Sequence, residues 1–349
     1  MVIYKKSSGA IDAAYGRYDT PIRMYIESES DLMKKKGGVR DWLFNVEKSN
    51  HFAESVVFQS GFNIFEYVNE GEGAPSDNLR EVAVGIVEHM QFMKEFTISA
   101  EMMEDANIGI AANAKRRIQN FVRSYYNTIN KACACALING TKSSMNFGGT
   151  DIRIFTPDAF PLFNKAHCTA PMCSDTLYQS NYFAGEFAKS GGEYNIDKLA
   201  DSLYTLAGKI RSMKDGNGDP TGYIADTIIL PSNKPTLELM IKKICGSESV
   251  TGSADNDINI HYGKWNVIIL PNWVADTDDM MVMSSEANTA LAGNLFYERV
   301  PLTVTPWVDH HTGNYNWTGR CRFGIGFGNY KHIVRVTDSE DIDASDLYE

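Results

Sequence analysis

Apolar and polar residues alternate along two stretches of this chain, and a run of turn chemistry separates them. In Val56 to Val68 the two-residue period puts Phe58, Phe62, Ile64 and Val68 on one face. The polar, glycine-bearing stretch Glu70 to Asn78 follows, and it includes Glu72 and Asp77. From Val82 the alternation resumes, with Val84, Ile86, Met90, Phe92, Phe96 and Ile98 on one side and Glu81, His89, Gln91 and Glu95 on the other. This pattern predicts a β-ribbon with arms of about 40 Å. A two-stranded ribbon is marginally stable alone in water, and this one carries a whole apolar face. Cover must come from the rest of the chain or from a second copy.

The period then changes to that of a helix. Ser99 suits an N-cap, and Glu101, Glu104 and Asp105 stand where a helix N-terminus favours negative charge. Asn107 to Ile138 reads as one long helix, with room for a break near Ala106–Asn107. Ile118, Phe121, Val122, Tyr125, Ile129, Cys133 and Ala136 form its apolar stripe, and Arg116, Asn120, Arg123, Asn127 and Lys131 its polar face. Asn139-Gly140 ends it, after roughly 45 Å. A long ribbon feeding a long amphipathic helix describes an extended subunit.

That order of elements resembles the tailed-bacteriophage major capsid proteins, with their Hong Kong 97-type fold. The likeness rests on the hairpin, the stretch "FTISAEMMEDA", and the long helix closing on "ALING". Asp158 to His167 also resembles a "D-G-x-x-L-F-x-x-x-H" segment seen in some of these proteins. Thr227 to Pro231 and Trp265 to Pro271 resemble strands of their central domain. The resemblance spans about residues 50 to 336, and no single motif carries it.

The resemblance implies an α+β chain with residues 1–50 as an N-terminal arm draped over neighbours and 51–98 as the E-loop, a hairpin lying on a neighbouring subunit. It implies a P-domain over 99–220, holding the spine helix 107–138 and a loop-rich insertion 141–195. An A-domain over 221–300 follows, and 301–349 returns as P-domain strands with an acidic tail. Contacts between subunits would then involve Phe58, Phe62, Ile64, Glu70, Glu72, Asp77, Arg80, Val84 and Ile86. Arg116, Asn120, Arg123 and Lys131 would face either packaged DNA or solvent, and the two readings stand level at this point.

The implied function is the icosahedral head shell of a double-stranded DNA phage, built from hexamers and pentamers in the host cytoplasm. The implied partners are other copies of the chain, a portal, separate scaffolding and decoration proteins, and DNA contacted without regard to sequence. No cofactor is implied. Some relatives begin with a cleaved scaffolding segment, for which the distance from Met1 to the ribbon leaves no room. Others cross-link their shells through an E-loop lysine. Between Val56 and Met93 this chain has none, so the expected shell is non-covalent. An encapsulin-type compartment holding cargo is the alternative within the same fold.

Composition narrows the field little. At 43% hydrophobic and 22% charged the chain is ordinary for a globular protein. No apolar run approaches a membrane span and no signal-peptide core follows Met1. The six cysteines are therefore expected as thiols. The net charge of −11 excludes a strongly basic nucleic-acid coat, and Asp338 to Glu349 carries much of the excess.

Candidate chemistry is sparse. Asp215, Asn217 and Asp219 match the start of a calcium loop, but Pro220 replaces its glycine and Asp226 its final glutamate. His167, Cys168 and Cys173 raise a zinc-dependent enzyme as a reading from a different class, at a spacing that fits no standard finger. No nucleophile elbow, zincin helix, phosphate loop or dinucleotide fingerprint occurs.

Overall fold

The computed structural model describes residues 3–4, 13–59, 65, 67–74, 76, 81–105, 112–169, 178–184, 189–190, 193–248 and 258–338. The chain divides into two compact units. The first comprises Met1–Glu54, Glu88–Cys133 and Phe296–Ile325; the second comprises Ser55–Val87, Ala134–Leu295 and Gly326–Glu349.

The first unit is built on a five-stranded sheet. Its order is Ile3–Tyr4, Asn294–Val308, Tyr315–Phe327, Met90–Ile98, with Asn45–Lys48 also paired to Asn294–Val308. Met90–Ile98 runs antiparallel to Tyr315–Phe323, which sets Phe96 opposite Trp317 and Phe92 opposite Cys321. The Phe96 and Trp317 rings stack at 5.1 Å. The long helix, Ala112–Ile138, lays Ile118, Phe121, Val122 and Tyr126 on this face, beside Ile98, Leu302 and Val304. Its apolar stripe therefore falls where the 3.6-residue period places it. Ala100–Asp105 forms a separate short helix before it, and residues 106–111 lie outside the described set.

Two expectations are corrected here. The N-terminal segment, expected as an arm draped over neighbours, carries a helix over Ala13–Lys36 whose Ile22 and Ile26 join the core. Gly16 and Pro21 argue against a helix locally, and the buried stripe continues through Glu29 and Ser30, so hydrophobic period alone misses it. The return arm of the ribbon is also two strands, not one. Glu81–Glu88 pairs with Ala53–Gln59, whereas Met90–Ile98 belongs to the body sheet. At the break, His89 Nε2 meets the Ser49 hydroxyl at 2.8 Å, and burial lowers the ring's pKa. The inward face changes parity there. Val84 and Ile86 are exposed, while Phe92 and Phe96 are half-buried and Ile98 is buried.

The second unit holds a mixed sheet in the order Tyr182–Ala184, Ile333–Thr337, Asp279–Met283, Thr227–Pro231, Asn266–Leu270. The middle three strands are buried at every position, Asp279 and Arg335 included. Ile196–Arg211 packs on this sheet through Leu199, Leu203, Leu206 and Ile210, capped by Asn195. Arg335 lies inside the unit and donates from Nε to Asp279 Oδ1 at 3.0 Å. Its Nη1 reaches the Ile138 carbonyl at 2.9 Å, supplying a cation to the C-terminal end of the long helix. Residues 141–195, expected as loops, contain short hairpins such as Ser144–Phe147 with Thr150–Arg153 and His167–Cys168 with Tyr178–Gln179.

Candidate assembly surfaces

The ribbon presents two different faces. Val56 and Phe58 point into the second unit, where Lys331 Nζ sits 5.1 Å over the Phe58 ring. Lys331 is itself buried, which pushes its ammonium down to about 8. Phe58, expected at a contact between subunits, is therefore sheltered by its own chain. Val87 is buried on the same side, so close to Gly326 that a Cβ there would lie 2.3 Å from Val87 Cγ2. The other face is bare: Val84 is 58% exposed and Ile86 61%. Towards the tip, Phe65 and Tyr67 are fully or nearly fully exposed. Glu70 and Glu72 are also exposed, and Glu72 Oε2 accepts from the Asn69 backbone at 3.1 Å, which closes the turn. Phe62, Ile64, Asp77 and Arg80 lie outside the described residues.

The polar face of the long helix is exposed at Arg116, Asn120, Arg123 and Lys131. Arg123 is not a free cation. Its Nε donates to Glu29 Oε1 at 2.6 Å, and Glu29 is buried against the helix with Gln119 as a second donor. That pairing reduces the stripe's available positive charge to Arg116 and Lys131.

The segment Asp158 to His167 is a packed corner. His167 is buried, with Nδ1 2.7 Å from Asp158 Oδ2 and Nε2 3.2 Å from the Leu162 carbonyl. Its ring stacks on Tyr330 at 3.9 Å, and Asp158 also accepts from the Thr156 hydroxyl. Both ring nitrogens thus face oxygen atoms of the protein, which leaves no lone pair directed at a metal. No group of three metal-ligating side chains occurs among the described residues, and Cys173 lies outside them. Asp215 is likewise committed to its own turn, accepting from the backbones of Asn217 at 2.8 Å and Asp219 at 3.0 Å. Leu162 and Phe163 are fully buried, and the Phe163 ring lies so close to Gly140 that a Cβ there would meet it at 2.8 Å. The end of the long helix and the Asp158 to His167 corner therefore pack against each other. Sequence reading treated them as separate signals.

No protein-family model matches the chain, and no curated protein matches it. Solved structures do match. The chain is similar to the capsid protein of the cyanophage P-SCSP1u, with a TM-score of 0.52 at 10% identity, over 87% of this chain and 89% of that one. It is similar to the capsid protein of the Myoviridae phage XM1, with a TM-score of 0.50 at 10% identity, over 86% and 92% of the two chains.

Proposed function

From the α+β fold that this chain shares with tailed-phage major capsid proteins, the Hong Kong 97 type, we propose that it is a structural subunit that self-assembles into a closed shell around double-stranded DNA. The observation that carries this reading is the ribbon's bare outer side. Val84, Ile86, Phe65 and Tyr67 are large apolar or aromatic side chains left exposed among the described residues. Large apolar side chains exposed along one ribbon favour cover by a second copy. Each Å² covered by a second copy is worth about 25 cal/mol, so these side chains outweigh the exposed carboxylates beside them, at no more than about 1 kcal/mol per surface ion pair. Weak contacts repeated over many copies suffice for a shell and let misplaced subunits leave.

The remaining expectations are carried as part of the proposal. Hexamers and pentamers form in the host cytoplasm, with a portal at one vertex and separate scaffolding or decoration proteins. Arg116 and Lys131 face the lumen, where two cations per copy give a shallow, sequence-independent attraction to phosphate.

Negative-stain microscopy of the purified chain tests the reading. Closed particles are expected, and a uniform small oligomer at all concentrations would overturn it. Nuclease-protected DNA in particles from infected cells is expected of a head; particles filled with a protein cargo would turn the reading to a compartment shell.

A further inference from the structure

A histidine closes the two-stranded ribbon at its root. Ser49 stands shortly ahead of the arm Ala53–Gln59, and His89 directly follows the arm Glu81–Glu88. The hydrogen bond of 2.8 Å between Ser49 Oγ and His89 Nε2 therefore joins the two arms below their pairing. Ser49 is itself fixed to the strand Asn294–Val308. Its amide donates to the Glu298 carbonyl at 3.1 Å, and its own carbonyl accepts from Arg299 Nη1 at 3.2 Å. The His89 ring meets Tyr297 of the same strand edge-on, with centroids 6.4 Å apart. Directly after His89 the chain leaves the ribbon for the body sheet.

The other ring nitrogen has nothing to meet. His89 Nδ1 is buried without a hydrogen-bond partner among the described residues. A neutral ring that donates from Nε2 to Ser49 leaves Nδ1 a bare lone pair, which asks for no acceptor. A protonated ring would put an N–H and a positive charge at that orphan position. The charged groups facing the ring come from three other strands. Glu54 on Ala53–Gln59 favours the protonated form, while Arg322 on Tyr315–Phe327 and Arg299 on Asn294–Val308 oppose it. Tyr297 keeps its proton, since burial pushes its hydroxyl up to about 12, and Glu88 beside the ring is exposed. Burial, with the two arginines, outweighs Glu54 and holds the ring below its ordinary range.

We infer that His89 is a proton-controlled clasp: neutral, it closes the root of the ribbon onto Ser49, and on protonation it lets the root open. The inference concerns a single subunit and does not rest on the shell reading. Opening returns the ring to water, where it binds its proton near the ordinary 6.5, so acid favours the open root. The closed root is therefore fully held above about pH 6.5 and weakens as pH falls below it. The open fraction rises by at most about tenfold per pH unit, the limit for one proton.

Hydrogen exchange followed by mass spectrometry on the full chain tests it, at about pH 7.5 and about pH 5.5, with each rate corrected for the intrinsic effect of pH on amide exchange. Corrected exchange in Ala53–Gln59 and Glu81–Glu88 should rise about three- to tenfold in acid, while the helix Ile196–Arg211 stays as it was. His89→Gln keeps an amide for Ser49 and has no proton to gain, so both arms should exchange alike at the two pH values. His51 and His332 remain in this variant. A rise that persists there belongs to them or to the whole fold, and would overturn the inference. Equal wild-type rates at the two pH values would overturn it too. Ser49→Ala removes the other half of the clasp and should raise exchange in both arms already at the higher pH, again with Ile196–Arg211 unchanged. Wild-type rates in Ser49→Ala would count against the Ser49 contact as the clasp.

Discussion

Ala159 adopts φ 68°, a left-handed conformation that costs an L-residue roughly 1–2 kcal/mol relative to glycine. It sits at the second position of the Asp158 to His167 segment, where the related capsid pattern has glycine. The corner is held around it by Asp158, Thr156 and the Phe160 backbone, so the turn does not relax. Ala159→Gly should therefore raise stability by about 0.5–1 kcal/mol, after the glycine's greater unfolded freedom is subtracted, and move the thermal midpoint up by a few degrees. An unchanged or lower midpoint would show that the alanine is not strained there. A second residue-scale effect concerns His332. It is wholly buried, with Nε2 2.9 Å from Asn294 Oδ1, and burial drives its pKa down to about 3. The unfolded chain binds this proton near the usual 6.5, so the stability it contributes is complete above pH 6.5 and declines as pH falls towards 3. The slope is about 1.4 kcal/mol per pH unit. Urea midpoints measured from pH 7 to pH 4 should show this fall, and His332→Gln should flatten it.

At the scale of elements, the N-terminal helix shows where sequence reading loses sight of structure. Its inner stripe is Ile22, Ile26, Glu29 and Ser30. The two polar members are buried because the long helix meets them, Arg123 and Gln119 at Glu29 and the Tyr126 hydroxyl at Ser30, 2.7 Å away. Partners some ninety residues away in sequence cannot be read from local period. Glu29→Ala should cost about 1–3 kcal/mol by stranding the Gln119 donor, with the loss seen in denaturant midpoints. Elements whose buried side is wholly apolar were legible. The strand Thr227–Pro231 falls where its apolar run puts it, because nothing but burial decides it. The ribbon was half legible. The even-numbered apolar positions lapse only at Glu88 and resume at Met90, yet the chain changes partner there, from Ala53–Gln59 to Tyr315–Phe327. A period of two shows that faces alternate and not which sheet each face meets. Phe58 is buried in its own chain for that reason, while Val84 and Ile86 are exposed. Arg123 was legible as an exposed helical position but not as the partner of Glu29, since nothing local marks a distant carboxylate.

For the whole molecule, the ribbon's inner and outer sides separate folding from assembly. Val56, Phe58 and Val87 are buried and belong to the stability of one subunit, whereas Val84 and Ile86 contribute little to it because they stay in water. Substitution on the two sides should therefore have opposite signatures. Val84→Asp and Ile86→Asp should leave the unfolding free energy within about 1 kcal/mol of the native subunit's, as surface changes do, while reducing particle formation on sucrose gradients. Phe58→Ala should instead lower the unfolding free energy by about 3–5 kcal/mol through the space left beneath Lys331. Normal particles from the Val84→Asp, Ile86→Asp double variant would remove the bare face from the contact. The same face also limits how the shell is held. With no lysine between Val56 and Met93, the ribbon has no amine to form an isopeptide bond with a neighbour. On the proposed shell reading, contacts through Val84 and Ile86 would hold without a covalent bond from the ribbon, and particles boiled in detergent should run as a single monomer band, where a ladder of multimers would reveal a covalent link from some other part of the chain.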